Sequence, residues 1–325
     1  MINKIIIILA LSIVSFSSLY AEDSILYKGY INLSYDSAKN SILGGSTTAT
    51  AKGYSSILSN PAGLSTNYNI AVYTKTVMGS TTDSDNKEVY VANAADHIAV
   101  GALYDSFGVE YKLDDYIVGG GAYGYESKYG LFSIGLSYLV DQTDLSQKDT
   151  GSAVQRDEFA TGDYITYGLM WQKSFIDLDD YYSVYVGLSH KNSGKYTGAG
   201  NPNIVPVSAS KTSYGLGFET NVFTTSVLVT LDMSNEYWQS VGETLSGLSY
   251  GVKWMMGDKF ALGVGLNSQT FSGAILKDIQ TAGVGVEFGF WKIHTLAAFT
   301  QRTVNDNNGV YLTQQAAHLD LAFAF

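Results

Sequence analysis

Large apolar side chains recur at every second position through most of this chain, and glycine occupies many of the positions between them. The stretch 281–290 shows the pattern most clearly, because three of its odd positions are glycine and its even positions are Ala282, Val284, Val286, Phe288 and Phe290. A period of two is that of a β-strand whose two faces have different surroundings. Soluble sandwiches also alternate, but their second face is usually rich in polar side chains rather than glycine. The pattern therefore favours a sheet whose second face is crowded.

Bulky residues on one face and glycine on the other predict a β-barrel whose outside contacts lipid. Its inside would then be narrow, partly hydrated or filled by another piece of chain. Charged residues agree with this orientation, since a Lys or Arg on the lipid face costs roughly 2–4 kcal/mol at mid-bilayer. The charges of the clearest strands lie opposite the bulky row: Glu219, Asp232, Lys253 and Glu287. We therefore expect an all-β fold, an antiparallel transmembrane β-barrel.

The composition supports a β protein and removes several functional classes. With 34 glycines, 25 tyrosines and 15% charged residues, the chain is rich in strand formers and poor in good helix formers. A net charge of −11 argues against a nucleic-acid partner, because such a protein needs basic residues to replace phosphate counterions. The absence of cysteine excludes a disulfide scaffold, a thiolate metal site and a cysteine nucleophile.

Residues 1–21 have the pattern of a secretory signal peptide. Lys4 precedes the apolar run 5–14, and the region ends at the small residue Ala21. A transmembrane anchor is the alternative, but the apolar run is shorter than the roughly 20 residues that span a bilayer. We therefore expect cleavage after Ala21 and membrane crossing by strands rather than by a helix.

The alternation predicts eleven clear strands and three weaker ones. The weaker ones are 69–78, 87–94 and 97–104, and the clear ones are 116–125, 130–141, 161–173, 181–191, 211–221, 223–233, 247–256, 259–270, 279–290, 292–302 and 315–325. A single-chain bacterial barrel has an even number of strands, so we expect about 14, with about 12 as the alternative. Long polar connections are predicted at 142–160, 192–210, 234–246 and 303–314.

The C-terminal residues have a pattern that predicts where the protein is targeted. Leu319, Leu321, Phe323 and Phe325 alternate with smaller or polar residues, and the chain ends on an aromatic ring. This resembles the C-terminal signal of outer-membrane barrels that the barrel assembly machinery recognises. The resemblance implies the outer membrane of a Gram-negative cell, with outer-membrane lipid around the barrel and that machinery as a partner during biogenesis.

The region before the first strand resembles a known family. Residues 43–51 read Leu-Gly-Gly-Ser-Thr-Thr-Ala-Thr-Ala, and 56–64 read Ser-Ile-Leu-Ser-Asn-Pro-Ala-Gly-Leu. A small-residue stretch followed by Asn-Pro-Ala before strand one is similar to the long-chain fatty-acid transporter (FadL-type) superfamily, with its aromatic-hydrocarbon porins and its TraF-like and PorV-like relatives. The resemblance implies an N-terminal hatch, residues 22–67, inside a barrel formed by 68–325. The hatch motif would be Asn60, Pro61 and Ala62, with Asn60 bonded to nearby backbone and Pro61 directing the chain.

The resemblance implies passive uptake of a hydrophobic or small organic solute through a lumen gated by the hatch, with lateral exit through a kinked strand. Such a channel is not an enzyme and needs no cofactor, and we expect a monomer. A phospholipase-type barrel enzyme is the catalytic alternative, but the sequence has no recognisable nucleophile motif. The chain is shorter than the fatty-acid transporters, and its 142–160 connection is polar. A non-transporting structural, secretion-associated or conjugation-associated barrel therefore remains the alternative function.

One cluster of polar residues is predicted inside the barrel. If the last three predicted strands are neighbours, six side chains face the same interior: Glu287, Lys292, His294, Arg302, His318 and Asp320. Two roles are open for this cluster, a structural charge network and a solute-selecting site. We favour the structural network, which would set strand register and pack the hatch. The four histidines lack the spacing of metal ligands, so no metal site is expected.

Overall fold

The structure is a computed structural model. It describes residues 38–66, 69–83, 86–104, 107–112, 116–144, 159–177, 180–192, 195–197, 209–238, 243–257, 259–273, 276–306 and 309–324. The predicted signal peptide, 1–21, lies outside the described residues, as do residues 22–37 of the predicted hatch.

The described chain begins with short helices and continues as strands. The helical part comprises α1 (Ala38–Ser41), a 3₁₀ turn (Gly53–Ser55), α2 (Ser56–Ser59) and a 3₁₀ helix (Pro61–Thr66). Fifteen strands follow in the described residues: β1 (Asn69–Asp83), β2 (Asn86–Tyr104), β3 (Phe107–Lys112), β4 (Tyr116–Ser127), β5 (Gly130–Asp144), β6 (Phe159–Asp177), β7 (Asp180–Lys191), β8 (Lys195–Thr197), β9 (Ala209–Val222), β10 (Thr225–Trp238), β11 (Glu243–Met256), β12 (Phe260–Phe271), β13 (Leu276–Phe290), β14 (Ile293–Asp306) and β15 (Gly309–Ala324). Within the described ranges, no helix has the length and apolar character needed to cross a membrane.

All the strand pairs are antiparallel, which confirms the predicted all-β class. Consecutive strands pair with one another, except that β7 pairs with β9 across the short strand β8. β8 pairs with β6 alone, at residues 161–163. The first strand also pairs with the last over 13 positions, from Asn69 with Ala324 to Thr81 with Leu312. Apart from β8, each described strand therefore has a hydrogen-bonded neighbour on both sides.

The strand boundaries correct two parts of the sequence prediction. The predicted strands 87–94 and 97–104 are one strand, β2, and β3 was not predicted. The pairing of β1 with β2 explains the first error, because Tyr73 pairs with His97 while Lys75 pairs with Ala94. β2 therefore carries one extra residue, a β-bulge that resets the alternation and makes one strand resemble two.

The predicted long connections 234–246 and 303–314 are also wrong, because most of their residues are in strands. β10 continues to Trp238 and β11 begins at Glu243, with Ser234 paired to Gly247. β14 continues to Asp306 and β15 begins at Gly309. The outer face of these strand ends carries polar residues such as Asn235 and Asn305, so the bulky row by which the sequence identified strands is interrupted there. For 142–160 and 192–210, the central residues 145–158 and 198–208 lie outside the described chain.

The two faces of the sheet have opposite surroundings. The bulky row is exposed, as at Val284 (54%), Phe288 (50%) and Ile134 (58%). The alternate positions are buried, as at Gly283 and Gly285. The alternation thus predicted correctly which residues share a face.

Residues 38–66, here called the inner segment, lie against the glycine-bearing face from β15 round to β4. A Cβ atom added to Gly265, Gly187 or Gly135 would lie under 3 Å from backbone atoms of the inner segment. Real Cβ atoms do not approach other atoms so closely, and only glycine permits this backbone contact. The glycine row is therefore the surface on which the inner segment packs.

Candidate functional site: the contact between the inner segment and the sheet

Asn60 joins the inner segment to two strands. Its side chain is fully buried, and its Nδ2 lies 2.6 Å from the carbonyl oxygen of Thr48, 3.2 Å from that of Leu169 and 3.3 Å from that of Leu188. Its Oδ1 accepts a hydrogen bond of 3.2 Å from the backbone N–H of Ala62. The bond to nearby backbone is the one expected from the sequence. The contacts with β6 and β7 link residues more than 100 positions apart, and the sequence contains no signal for them.

The other two motif residues contact glycines of the sheet. Pro61 and Ala62 lie against Gly135 of β5, where an added Cβ would collide with their backbone. Gly168 of β6 faces both Asn60 and Ala62 in the same way. The Asn60–Pro61–Ala62 motif is therefore a contact surface as well as a turn.

Apolar clusters hold the inner segment on both sides of this motif. Ile57 and Leu64, which flank the motif, pack with Val118, Leu139 and Tyr164 of β4, β5 and β6. On the N-terminal side there are two smaller clusters, made of Ala38, Ile42, Leu296 and Ala298 and of Leu43, Ala49, Tyr185 and Leu228. These side chains are over 90% buried, so the inner segment packs closely against the sheet.

Two aspartates of the sheet accept hydrogen bonds from backbone N–H groups of the inner segment. Asp320 of β15 is fully buried, and its Oδ1 and Oδ2 lie 2.9 and 3.3 Å from the amide nitrogens of Ala38 and Lys39. Asp232 of β10 is 4% exposed, and its Oδ2 lies 2.7 Å from the amide nitrogen of Thr48. Asp320 belongs to the predicted polar cluster, whereas Asp232 does not. Its only sequence signal is a carboxylate on the glycine face of a strand.

The predicted polar cluster is divided in the structure. Glu287 forms an ion pair with Lys253, and its Oε1 lies 3.6 Å from Nδ1 of His294. His318 contacts the inner segment instead, because its Nε2 lies 3.4 Å from Oγ of Ser41 and 3.2 Å from Oγ1 of Thr300.

The remaining two members of that cluster lie apart from the others. Arg302 donates from Nε to Oγ1 of Thr281, at 3.4 Å. Lys292 is exposed in the turn between β13 and β14, because β14 begins at Ile293. The structure thus brings Glu287 together with His294, and His318 and Asp320 together with the inner segment.

Charged groups collect on one side of the inner segment. Lys39 donates from Nζ to the carbonyl oxygen of Lys52 at 2.8 Å, and Nζ of Lys52 lies 5.1 Å from the ring centre of Tyr185. The Tyr185 hydroxyl donates to Oε2 of Glu219 at 2.7 Å. Burial, together with nearby Lys253 and Lys52, lowers the pKa of Lys39 to about 8, while Glu287 and Asp320 act in the opposite direction. Burial also lowers the pKa of Lys52.

The interior face carries charged residues next to the short turns and, near the other strand ends, apolar residues beside the buried Glu236. Glu219, Lys253 and Glu287 each lie three residues before the end of a strand, next to the short turns. Near the opposite strand ends, the same face carries four apolar residues with exposures of 1–7%: Leu245, Phe271, Ile279 and Val304. Leu245 pairs with Phe271, and Ile279 pairs with Val304, so these residues form one patch across β11 to β14.

The solved structures that are similar to this chain include two hydrocarbon channels. One is the monoaromatic hydrocarbon channel CymD, with a TM-score of 0.56 and 12% identity, covering 89% of this chain and 97% of that one. The other is a deltaS2 mutant of the monoaromatic hydrocarbon channel TodX, with a TM-score of 0.51 and 12% identity, covering 89% of this chain and 99% of that one. This chain has the fold of these two channels. The resemblance noted in the sequence is therefore confirmed for the fold, which is what a likeness at such low identity shows.

No known family profile matches the sequence. No curated protein matches it either.

Proposed function

We propose that this chain is an outer-membrane channel through which hydrophobic or small organic solutes enter passively, and that the inner segment is its hatch. The observation that carries the proposal is the arrangement of the two faces, with an exposed apolar face outside and a glycine face covered by the chain's own N-terminal region. The fold agrees, since the two similar structures are named as monoaromatic hydrocarbon channels.

The strand pairings support a closed barrel. β1 pairs with β15 and β5 pairs with β6, so a path from neighbour to neighbour returns to its start. Of the fifteen strands, only β8 lies outside this ring, which leaves 14. An even number places both ends of the barrel chain on the periplasmic side. We therefore propose a 14-stranded barrel with the short turns in the periplasm.

The exposed apolar surface supports a membrane location. Ile176, Phe223 and Trp291 are exposed by 80%, 99% and 85%, and they lie near the short turns. Leaving one large apolar side chain in water rather than burying it costs about 1.5–3 kcal/mol. Such residues are exposed on β4 to β7 and on β9 to β15. Soluble monomers rarely have a continuous apolar surface of this kind. Acyl chains are the surroundings that remove this cost, and aromatic rings at the strand ends suit the membrane interface.

The hatch would have to move for a solute to pass on the side of the Asn60 motif. Asn60 is fully buried, and glycines of β5, β6 and β7 contact the inner segment there without space for a methyl group. A dense interface of this kind leaves no room for an aromatic ring. The packed state is therefore the closed state of the channel.

The polarity of the interior favours lateral exit. An apolar solute entering from the long-loop end would meet the patch that contains Leu245 and Phe271. Beyond the inner segment it would meet the ion pair of Lys253 with Glu287, and displacing water or partners from buried charges is costly. β2 offers a route into the membrane, because its pairing with β3 is interrupted between Val100 and Tyr104. We propose that the solute leaves at this interruption.

The close packing of the inner segment also suits the alternative function, a barrel that does not transport. A barrel whose inner segment never moves would be structural, or it would serve as a platform for secretion or conjugation proteins. The close contacts at Asn60 favour this role over an open pore. Transport measurements separate the two functions.

The test uses purified full-length protein reconstituted into liposomes, with folding checked by resistance to proteolysis. We expect faster entry of toluene, a short alkane or a fatty acid than into protein-free liposomes, without dependence on an ion gradient. If a folded, inserted protein accelerates none of these three solutes, the channel function is wrong and the structural role is favoured.

A further inference from the structure

The C-terminal end of the inner segment is joined directly to the first strand, which tethers it. Its C-terminal residue, Thr66, is separated from β1 by only residues 67 and 68. The half next to this tether, 51–66, contains the two helical turns, α2 and the contacts of Asn60. The other half, 38–50, is joined covalently to the barrel only through the first. A displacement of the inner segment therefore needs the least rearrangement if it begins in 38–50.

Different forces hold the two halves. Ile57 and Leu64, in the tethered half, belong to a cluster with three large side chains of the sheet, and apolar burial of this kind keeps water out. The 38–50 half has smaller apolar clusters, and its backbone N–H groups bond to Asp320 and Asp232. Water can take the place of such hydrogen bonds when this half moves, but each bond to a charged carboxylate adds a net stability to the packed state.

In the described residues, incomplete hydrogen bonding is found in the 38–50 half and at Asp232 and Asn267, which lie on strands beside it. Within the described chain, the buried Oγ of Ser46, Oγ1 of Thr50 and Oδ1 of Asp232 have no hydrogen-bond partner. Buried polar atoms are nearly always bonded, so each of these raises the free energy of the packed state. Exposure of the 38–50 half to water would satisfy all three. In the described residues, no buried polar side-chain atom near Ile57 or Asn60 lacks a hydrogen-bond partner.

We propose that the inner segment consists of a fixed half, 51–66, and a moving half, 38–50, and that Asp320 and Asp232 are the positioning residues that hold the moving half closed. This inference rests on the proposed function, because it says which part of the proposed hatch moves. The carboxylates act on the backbone of the inner segment and need not contact solute. Opening then breaks three hydrogen bonds from backbone N–H groups to the aspartates, and it also breaks bonds that join the halves, among them those from Asn60 to Thr48 and from Lys39 to Lys52. The contacts of Asn60 with β6 and β7 stay in place.

Two engineered disulfides test which half must move, and the absence of native cysteine makes them unambiguous. An added Cβ at Gly263 would lie 3.4 Å from Cβ of Ile42, close to the Cβ–Cβ separation of a disulfide, about 3.5–4.5 Å. The Ile42→Cys change also removes the methyl group that would collide with that Cβ. For the fixed half, the hydroxyl oxygens of Ser65 and Ser133 lie 2.8 Å apart.

We expect the oxidised Ile42→Cys/Gly263→Cys variant to lose solute uptake into liposomes and to regain it on reduction. The oxidised Ser65→Cys/Ser133→Cys variant should keep the uptake of the unmodified protein. Full uptake through the first variant, with its disulfide shown to be complete, would overturn the division into halves. Loss of uptake in the second would overturn it equally.

A second measurement does not depend on transport. Ile42 and Ile57 are matched residues, since they are isoleucines of the two halves with exposures of 2% and 1%. In the folded barrel, a thiol reagent should modify the Ile42→Cys variant faster than the Ile57→Cys variant. Adding Asp320→Asn or Asp232→Asn should raise the Ile42→Cys rate by about 10-fold, the effect expected for one charge-assisted hydrogen bond.

Asp163→Asn is the matched control, because this aspartate is exposed on the outer face beside Tyr138. It should change neither labelling rate. Equal rates for the two isoleucine positions, or no effect of the Asp320 and Asp232 changes, would overturn the proposal. If the unmodified protein takes up no solute, the channel function fails, while the labelling rates still decide whether the halves differ in mobility.

Discussion

At the scale of single residues, Asn60 contributes more than a turn. Its amide group donates to carbonyl oxygens of the inner segment, β6 and β7, and so joins the inner segment to the sheet. The ladder between β6 and β7 runs from Thr166 to Asp177 and does not depend on this side chain. The inner segment and the barrel wall can therefore be separated by mutation.

Asn60→Ala should loosen the inner segment without preventing insertion. We expect an increase in solute leak and a loss of about 1–3 kcal/mol from the free energy of unfolding, because buried carbonyl groups lose their donor. Leak in liposomes and urea unfolding measure the two effects. Asn221→Ala, at an exposed position of β9, is the control and should change neither. Loss of insertion in Asn60→Ala would contradict the assignment.

The ion pair between Lys253 and Glu287 is a second test at this scale. Both side chains are largely buried, with exposures of 15% and 21%, so removing one partner leaves an unpaired charge. Glu287→Gln should lower the free energy of unfolding by about 1–3 kcal/mol, and Lys253→Met/Glu287→Met should lower it less than the single change. Lys211→Met, beside Glu236 but 43% exposed, should cost about 0–1 kcal/mol. A double variant less stable than the single one would contradict the network.

At the scale of elements, the glycines decide how closely strands approach the inner segment. An added methyl group at Gly265 would overlap the backbone of Leu43 and Gly44, whereas one at Gly119 would have nothing within 4 Å. Gly265→Ala should therefore destabilise the protein by about 1–3 kcal/mol, the cost of overpacking. Gly119→Ala should stay within about 0.5 kcal/mol of the unmodified protein. Equal urea midpoints for the two variants would show that the inner segment does not pack on the glycine row.

The sequence predicts strands well where one face is apolar and the other small, as in β12 and β13. It fails where that contrast ends. Because of the bulge opposite Thr74, the sequence predicts two strands where the structure has only β2. The sequence also predicts loops at the ends of β10 and β14, where polar residues interrupt the bulky row. In the candidate site, the motif at Asn60 was found from its residues, but its contacts with β6 and β7 depend on the closure of the sheet. Asp232 was missed for the same reason, since only the fold brings it to Thr48.

At the scale of the whole molecule, one assignment supports all the others. The exposed apolar row contacts acyl chains, and the glycine row encloses the inner segment. If the outer row instead contacted water or a second sheet, the membrane location, the hatch and the route for solutes would all be wrong. The assignment is local enough to measure at individual positions, because any introduced cysteine is the only one in the chain.

The most direct measurement is the accessibility of nitroxide labels in lipid bilayers, by electron paramagnetic resonance. Labels at Val284→Cys and Leu216→Cys report on the outer row, and a label at Thr230→Cys, a buried position, reports on the inner face. The account predicts that the outer labels collide often with oxygen, which partitions into acyl chains, and rarely with a water-soluble nickel complex. Frequent collisions of the outer labels with the nickel complex in an inserted, folded protein would contradict the membrane-facing assignment.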